Sequence, residues 1–514
     1  MTRLLTVYKS SVLPVAWAGA LLASGPVLAQ QISSLTSGDL IISTVSNSTG
    51  LSNNNALDTA SPITLQELQL GPSATTATSI GTLTLPQLAS GNNAAISGEY
   101  GSASEGILQQ SVNGQYLTIM GYGVNANAFN TGGTSMYGTT ALGQTTSLTG
   151  SAYVTVPRVV ALIGGNGSVN TSTALTGVFN TNNPRSVATI DGSSFYVSGQ
   201  GASEGDTTEG VFYATLGATT ATAIDTSTDT RVVSIVNNGS GNALYVSSDV
   251  KVSGNNKNST NISTLTSSGG GLPTSASGLV TTQVVAPATL NPLSGNNSSI
   301  TVTAGTENGV NDPRLGNFVY LSPEQYFFAS PSVLYVADSG SPKNGQTGAA
   351  AGLGEGGLQK WVLTNGTWTL DYDLVAGLNL VAGNGGANTP SPTSPGVTGL
   401  FGLTGKVVGN SVELFATSYG LNELSPSYLY EISDTLSDTT ISQASSESFT
   451  VLDAAAAGTS IRGVAFAPVP LPGSVWLMLS GLCGLGLRAR RRKLGPPFES
   501  PLRVPTFARL REPD

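Results

Sequence analysis

A strand–turn–strand unit recurs along most of this chain, and it limits the possible folds more than any other feature. Arg185-Ser186-Val187-Ala188-Thr189-Ile190 is followed by Asp191-Gly192 and then by Phe195-Tyr196-Val197-Ser198. Arg231-Val232-Val233-Ser234-Ile235-Val236 passes through Asn237 to Gly241 into Leu244-Tyr245-Val246-Ser247. Glu105-Gly106-Ile107-Leu108 leads via Asn113-Gly114 to Tyr116-Leu117-Thr118-Ile119. Phe401 to Thr404 and Lys406 to Val408 lead to Leu414-Phe415-Ala416-Thr417, and Tyr326-Phe327-Phe328 to Val333-Leu334-Tyr335-Val336-Ala337. The β-branched and aromatic runs suit a pleated sheet, and the Asn-Gly and Asp-Gly steps supply the positive φ angles of tight hairpins. Third strands follow at Gly210 to Leu216 and at Leu358 to Leu363, the latter turning at Asn365-Gly366 into Trp368-Thr369-Leu370.

Three or four antiparallel strands recurring at intervals of roughly 45–95 residues predict an all-β chain built as a β-propeller of about six or seven blades. Arg462-Gly463-Val464-Ala465-Phe466 ends the series without a second strand. Its partners are expected from Asp39 to Val45 and Ile63 to Leu68, so that N- and C-terminal strands close one blade and leave no open edge. The alternative is a β-sandwich or β-solenoid of the adhesin type, elongated instead of ring-shaped. No long stretch has the composition of an amphipathic helix. The Ser/Thr/Asn/Gly-rich pieces near 252–278 and 340–352 read as disordered.

Histidine is absent and the single cysteine is Cys483. Without imidazole or a thiol in the body, Ser-His-Asp and Cys-His nucleophilic catalysis, zincin chemistry and iron–sulfur ligation are excluded. Carboxylate-only chemistry and oxygen-ligated calcium stay open; no other cofactor is implied.

The two ends read as addresses. Arg3 and Lys9, the apolar run Val12 to Leu22, and Val27-Leu28-Ala29 before Gln30 form a secretory signal peptide over residues 1–29. At the other end, Val469-Pro470-Leu471-Pro472-Gly473 precedes an apolar segment to Leu487, then Arg488, Arg490, Arg491, Arg492 and Lys493. The segment 473–487 would span roughly 22 Å as a helix, short of the ~30 Å hydrocarbon core, and suits a transient anchor. The cations after it keep that side cytoplasmic, so the body lies outside the inner membrane. Without both ends the body keeps 10 basic and 26 acidic residues, net −16 against −9 for the whole chain. Such a surface disfavours nucleic acid.

The tail 469–493 resembles the PEP-CTERM family of sorting signals in its VPLP variant. That resemblance implies export by the Sec machinery and signal peptidase, then processing by an exosortase in a Gram-negative envelope. The family's basic cluster lies within a few residues of the chain end, whereas here residues 494–514 continue as a cytoplasmic or disordered extension. The body, residues 30–468, resembles a family of large exported bacterial proteins expected to be β-propellers. Its shared segments are GDLIIS, SEGILQQSVNGQYLTIMGY, NNPRSVATIDGSSFYVSG, VFYATLG, LYVAD and IRGVAFAP, in that order. That resemblance implies a fold and no activity.

Arg158, Arg185, Arg231, Arg314 and Arg462 are the body's five arginines. Arg158, Arg185, Arg231 and Arg462 each open an apolar run, and in a propeller the start of each innermost strand rings one mouth of the channel. With Glu105 at the same point of another blade, these guanidiniums form a candidate fork-like site for a carboxylate, phosphate or acidic sugar. Arginines there have a second use, bridging neighbouring blades through backbone carbonyls with no ligand. Asp312, Asp338, Asp371 and Asp373 are loop candidates for calcium, without EF-hand or RTX spacing. The glycine run at 352–357 lacks the Lys and Ser/Thr of a phosphate loop. The expected function is a non-catalytic binding or structural role in the envelope or extracellular matrix, with polysaccharide or a surface protein as partner. The alternative is a propeller hydrolase or lyase acting on polysaccharide through carboxylates or calcium.

Overall fold

The computed structural model describes residues 32–47, 58–102, 104–203, 205–248, 261–285, 299–301, 318–320, 322–339, 356–378, 380, 397–420 and 426–469. The signal peptide, Asp312, Arg314, residues 340–355 and everything from Pro470 onward lie outside them. Among the described residues no helix is long and apolar enough to cross a membrane.

The chain opens with β1 (Leu40–Ser46), β2 (Ala60–Leu70), β3 (Ala77–Thr84), β4 (Ser97–Glu99), β5 (Gln109–Gln110) and β6 (Tyr116–Tyr122). Helix α1 (Ala126–Tyr137) follows, then β7 (Arg158–Gly164) and β8 (Val169–Leu175). β9 (Pro184–Ala188), β10 (Ser194–Gly199), β11 (Gly210–Thr215) and β12 (Thr222–Asp225) form one four-stranded antiparallel sheet. β13 (Val233–Asn237), β14 (Asn242–Ser248), β15 (Asn261–Ser267) and β16 (Leu279–Val285) form the next. β17 (Ser299–Thr301) and β18 (Phe318–Tyr320) pair as a separate hairpin. Two more four-stranded sheets follow. The first holds β19 (Pro323–Ser330), β20 (Val333–Asp338), β21 (Leu358–Thr364) and β22 (Thr367–Leu374). The second holds β23 (Val397–Val408), β24 (Ser411–Gly420), β25 (Tyr428–Thr435) and β26 (Thr450–Ala454). The final strand, β27 (Thr459–Phe466), returns to pair with β1, Ile42 opposite Val464.

The result is an all-β, propeller-like arrangement. Apolar clusters join each sheet to the next. Val160, Val187 and Phe212 join β7 to the sheet beginning at β9. Ala188, Val211, Val233 and Leu244 join that sheet to the following one. Tyr335, Leu358, Leu414 and Tyr430 join the last two four-stranded sheets, and Leu40, Phe415 and Val464 return the packing to the chain's start. Covered on both faces, such strands need no polar alternation, and all seven residues of β7 are buried. At outer positions alternation weakens and exposure rises, as over β16.

Four points differ from the sequence-based expectation. Four separate four-stranded sheets are present, not six or seven, because β4 pairs with both β2 and β6 and stitches the first strands into one nine-stranded sheet. Residues 261–267, within a stretch read as disordered, form β15, whose Ile262 and Leu265 are buried between neighbours. Asp371 and Asp373 lie in β22 and Asp338 ends β20, so none of the three is a loop residue. Helix α1 was not foreseen, since its two glycines and two threonines are poor helix formers. Its cap and packing compensate. Asn125 Oδ1 accepts the Ala128 N–H at 2.9 Å, Asn130 clamps both backbone groups of Ala60, and Phe129 and Tyr137 are buried.

Ring closure depends on glycine at one crossing. A Cβ on Gly463 would lie 2.3 Å from Leu108 N and 2.5 Å from Gly106 O. Gly463→Ala is therefore expected to cost about 1–3 kcal/mol through overpacking. A urea-denaturation midpoint equal to wild type would refute that crossing.

Candidate functional site

The central strands follow one another in a cycle. β27 packs on β5, β5 on β9, β9 on β13, β14 on β19, β19 on β23, and β23 on β27. Two buried amides occupy the middle. Gln109 Nε2 donates to Val187 O (3.0 Å) and Val233 O (2.7 Å), and its Oε1 accepts from Ser234 Oγ (2.7 Å). Gln325 Nε2 donates to Leu108 O at 3.2 Å, and its Oε1 accepts from Leu403 N at 2.8 Å. A bond from β19 to the residue before β5 links opposite sides of the cycle, so it crosses the centre. Both glutamines carry every hydrogen bond named here inside the protein, as buried amides must. Neither was singled out from the sequence.

The four candidate arginines are buried. Arg158 opens β7, which pairs with β6 and β8 and is not an innermost strand. It is 0% exposed. Its guanidinium donates to the carbonyls of Val156 (3.0 Å), Thr145 (2.8 Å), Phe179 (2.8 Å) and Asn182 (3.0 Å), and lies 4.8 Å from the Tyr122 ring centroid. Arg185 opens the innermost β9, forms a short ion pair with Asp229, and donates to Thr230 O and Gln200 Oε1, both at 2.8 Å. Asp229 and Thr230 belong to the next sheet's entry loop, so this arginine is an inter-sheet tie. Arg231 stands 3.9 Å from Glu324 of β19, spanning to the sheet after it. Arg462, on β27, donates to Tyr100 O at 2.6 Å.

These side chains fall into two groups instead of one mouth. Glu105 feels Arg462 and Arg158, whereas Arg185 feels Arg231, Asp229 and Glu324. Burial lowers the pKa of both Arg158 and Arg185, but guanidinium stays charged in proteins.

Glu105 belongs to a buried acid cluster that sequence reasoning saw only in part. Tyr122 OH donates to it through a short bond, and its Oε2 accepts the Glu99 N–H at 3.3 Å. Glu99 Oε2 accepts the Gly143 N–H at 2.8 Å. Burial raises Glu105 to about 7, against the lowering effect of Tyr122 and the two arginines. Glu99 is pushed well up by burial and then by the charge of Glu105. Beside them lies a cavity of ≈ 10 Å³, bordered by Ser43, Met120 and Arg462, with room for about one water molecule. The six-residue separation of Glu99 and Glu105 was visible, but β4 ends at Glu99, so no shared strand or helix face joins them. Only β4 and the loop after it bring the two together.

Glu105 should make stability pH-dependent. Its folded pKa lies above the ordinary carboxyl value, so the folded state binds the proton more tightly. Stability is then greatest below about 4.5 and falls as pH rises through about 7. Thermal melting should drop between pH 5 and pH 8.5, and Glu105→Gln should flatten that slope. An identical slope in the variant would assign the effect elsewhere.

Among the described residues no group of three or more His, Cys, Asp or Glu side chains could hold a metal ion. Asp338 Oδ2 accepts from Ser322 N (2.8 Å) and Gln359 Nε2 (2.9 Å).

The fold thus defines an all-β, propeller-like protein with a centre closed by side chains. No family model matches the chain, and no curated protein matches it. Among solved structures, that of the Niastella koreensis GH74 enzyme is similar at TM-score 0.34 and 13% identity, over 82% of this chain and 46% of that chain. This chain therefore spans less than half of that enzyme's length, and a likeness of this size says nothing about activity.

Proposed function

We propose that the protein is an exported, non-catalytic scaffold of the cell envelope or extracellular matrix, sorted by an exosortase through residues 469–493. One structural observation carries the non-catalytic reading: Arg158, Arg185, Arg231 and Arg462 are buried and bonded within the fold, while Gln109 and Gln325 fill its centre. The inner groups thus serve cohesion, and partner contacts fall to the outer loops of an acidic body. Polysaccharide or a surface protein is the expected partner. In this reading the nine-stranded sheet is two blades fused through β4, one of them β27-β1-β2-β3, and the ring has six blades. The N- and C-terminal signals support the location from sequence.

Envelope fractionation of cells making the full chain tests this reading. The intact protein should reach the outer envelope or medium, and a Pro470→Ala, Pro472→Ala variant should stay with the inner membrane. Finding both in the cytosol would overturn it.

One observation favours a second reading, a carboxylate hydrolase: the Glu99–Glu105 pair with Tyr122. The adjoining cavity takes a water and not a sugar, so the loop after β4 would have to open. Release of reducing ends from polysaccharide, abolished in folded Glu105→Gln, would establish that reading.

A further inference from the structure

A second buried cluster lies away from the centre, where the sheet of β19–β22 meets the sheet of β23–β26. Lys360, in the middle of β21, and Asp434, near the end of β25, are both 0% exposed, and Lys360 Nζ lies 2.8 Å from Asp434 Oδ2. The carboxyl group is held on both oxygens. Tyr372 OH donates to Oδ1 at 2.5 Å, and Tyr335 OH donates to Oδ2 through a short bond. The amine is aimed by Tyr372 OH and by the carbonyls of Thr435 and Asp438, each at 2.8 Å. The rings of Tyr372 and Tyr335 flank Nζ at 5.0 and 5.8 Å. A third group completes the arrangement: the Glu447 carboxyl is near enough to Asp434 for that side chain to raise its pKa, and its Oε1 accepts the Thr435 N–H at 3.1 Å.

We propose that Lys360 and Asp434 join in an intramolecular isopeptide bond, with Glu447 as the proton carrier. An amine and a carboxyl held in contact in a desolvated pocket have the proximity that converts a slow condensation into a fast one. A neighbouring carboxylic acid supplies the proton transfers such a step requires. The bonds balance without any co-reactant. Nζ gives up a proton to Asp434 Oδ2, which it already contacts, and attacks Asp434 Cγ. The C=O electron pair moves to Oδ1, where the Tyr372 hydroxyl stabilises it, and Glu447 then gives its proton to Oδ2 and takes one from the nitrogen. Collapse breaks the Cγ–Oδ2 bond. Of the three ammonium protons, one stays on the amide nitrogen and two leave with Oδ2 as water, one of them through Glu447.

Two further observations support this assignment. Burial, followed by the Asp434 side chain, raises Glu447 to about 8, so it holds the proton that Asp434 needs a donor for. Its buried Oε2 accepts no hydrogen bond. The product replaces two buried charges with a neutral amide, removing a desolvation cost. It also gives an exported body without cysteine a covalent staple between neighbouring sheets.

Mass spectrometry of the full chain after proteolysis decides the matter. The expected product is a branched peptide joined at Lys360 and Asp434, lighter by one water than its two linear parts. It should be missing from Lys360→Arg and from Glu447→Ala. Linear peptides carrying free Lys360 and free Asp434 in the wild-type digest would overturn the proposal, whatever the folding state of the variants. Cross-linking that persists in Glu447→Ala would remove Glu447 from the step.

Discussion

Asp229→Ala should lower the free energy of unfolding by about 3–5 kcal/mol, the cost of leaving a buried guanidinium without its counter-charge. Arg185 and Asp229 are each almost wholly buried, so water cannot replace the lost carboxylate. The large effect does not mean that the pair is worth that much. Desolvating two charges consumes most of their attraction, and apolar replacement of both partners is often neutral. Arg185→Met combined with Asp229→Leu should therefore recover most of the loss. Urea denaturation of wild type, single and double variants separates the cases. A single variant within 1 kcal/mol of wild type would show that the tie between the sheets of β9 and β13 is dispensable. It would also reopen Arg185 as a ligand-facing group.

The second large effect is expected at Trp361. This side chain is 0% exposed and sits in the cluster that joins Val336, Tyr326, Phe401 and Ile262. Its Nε1–H donates to Gln359 Oε1 at 3.0 Å. Trp361→Ala removes the most deeply buried tryptophan of that core and opens a cavity bounded by three sheets, at a cost of about 3–5 kcal/mol. Trp361→Phe keeps most of the volume and loses one hydrogen-bond donor, so its loss should be clearly smaller. Equal midpoints for the two variants in thermal or urea denaturation would indicate that the surrounding sheets collapse onto the gap.

The hairpin turns were the most legible part of the fold. Asn365 and Gly366 adopt φ of 52° and 80° between β21 and β22, as a tight two-residue hairpin requires. Gly114 and Gly192 also take positive φ at turns read from Asn-Gly and Asp-Gly. The pairing of β27 with β1 was also readable, because a strand without a neighbour in sequence must find one elsewhere. The fusion through β4 was not, since Ser97-Gly98-Glu99 carries no strand signal and gains its place only from β2 and β6. For the site, the arginines and Glu105 were found as unusual charges, and bridging through backbone carbonyls was named as the arginines' second use, but which carbonyls they would meet was not readable. The run Leu358-Gln359-Lys360-Trp361-Val362 contained a sharper hint: a lysine within apolar neighbours on a fully covered strand needs a partner. No local rule points from Lys360 to Asp434, which lies in a different sheet.

Local chemistry along the chain determined the antiparallel hairpin unit, the all-β class and the exclusion of imidazole and thiol catalysis, because each depends on neighbouring residues or on composition alone. Only the tertiary structure decided which charges meet, which carbonyls consume the arginines and what fills the middle of the ring. Those outcomes depend on contacts between residues far apart in the chain, and burial then makes each unpaired group costly enough to dictate its partner.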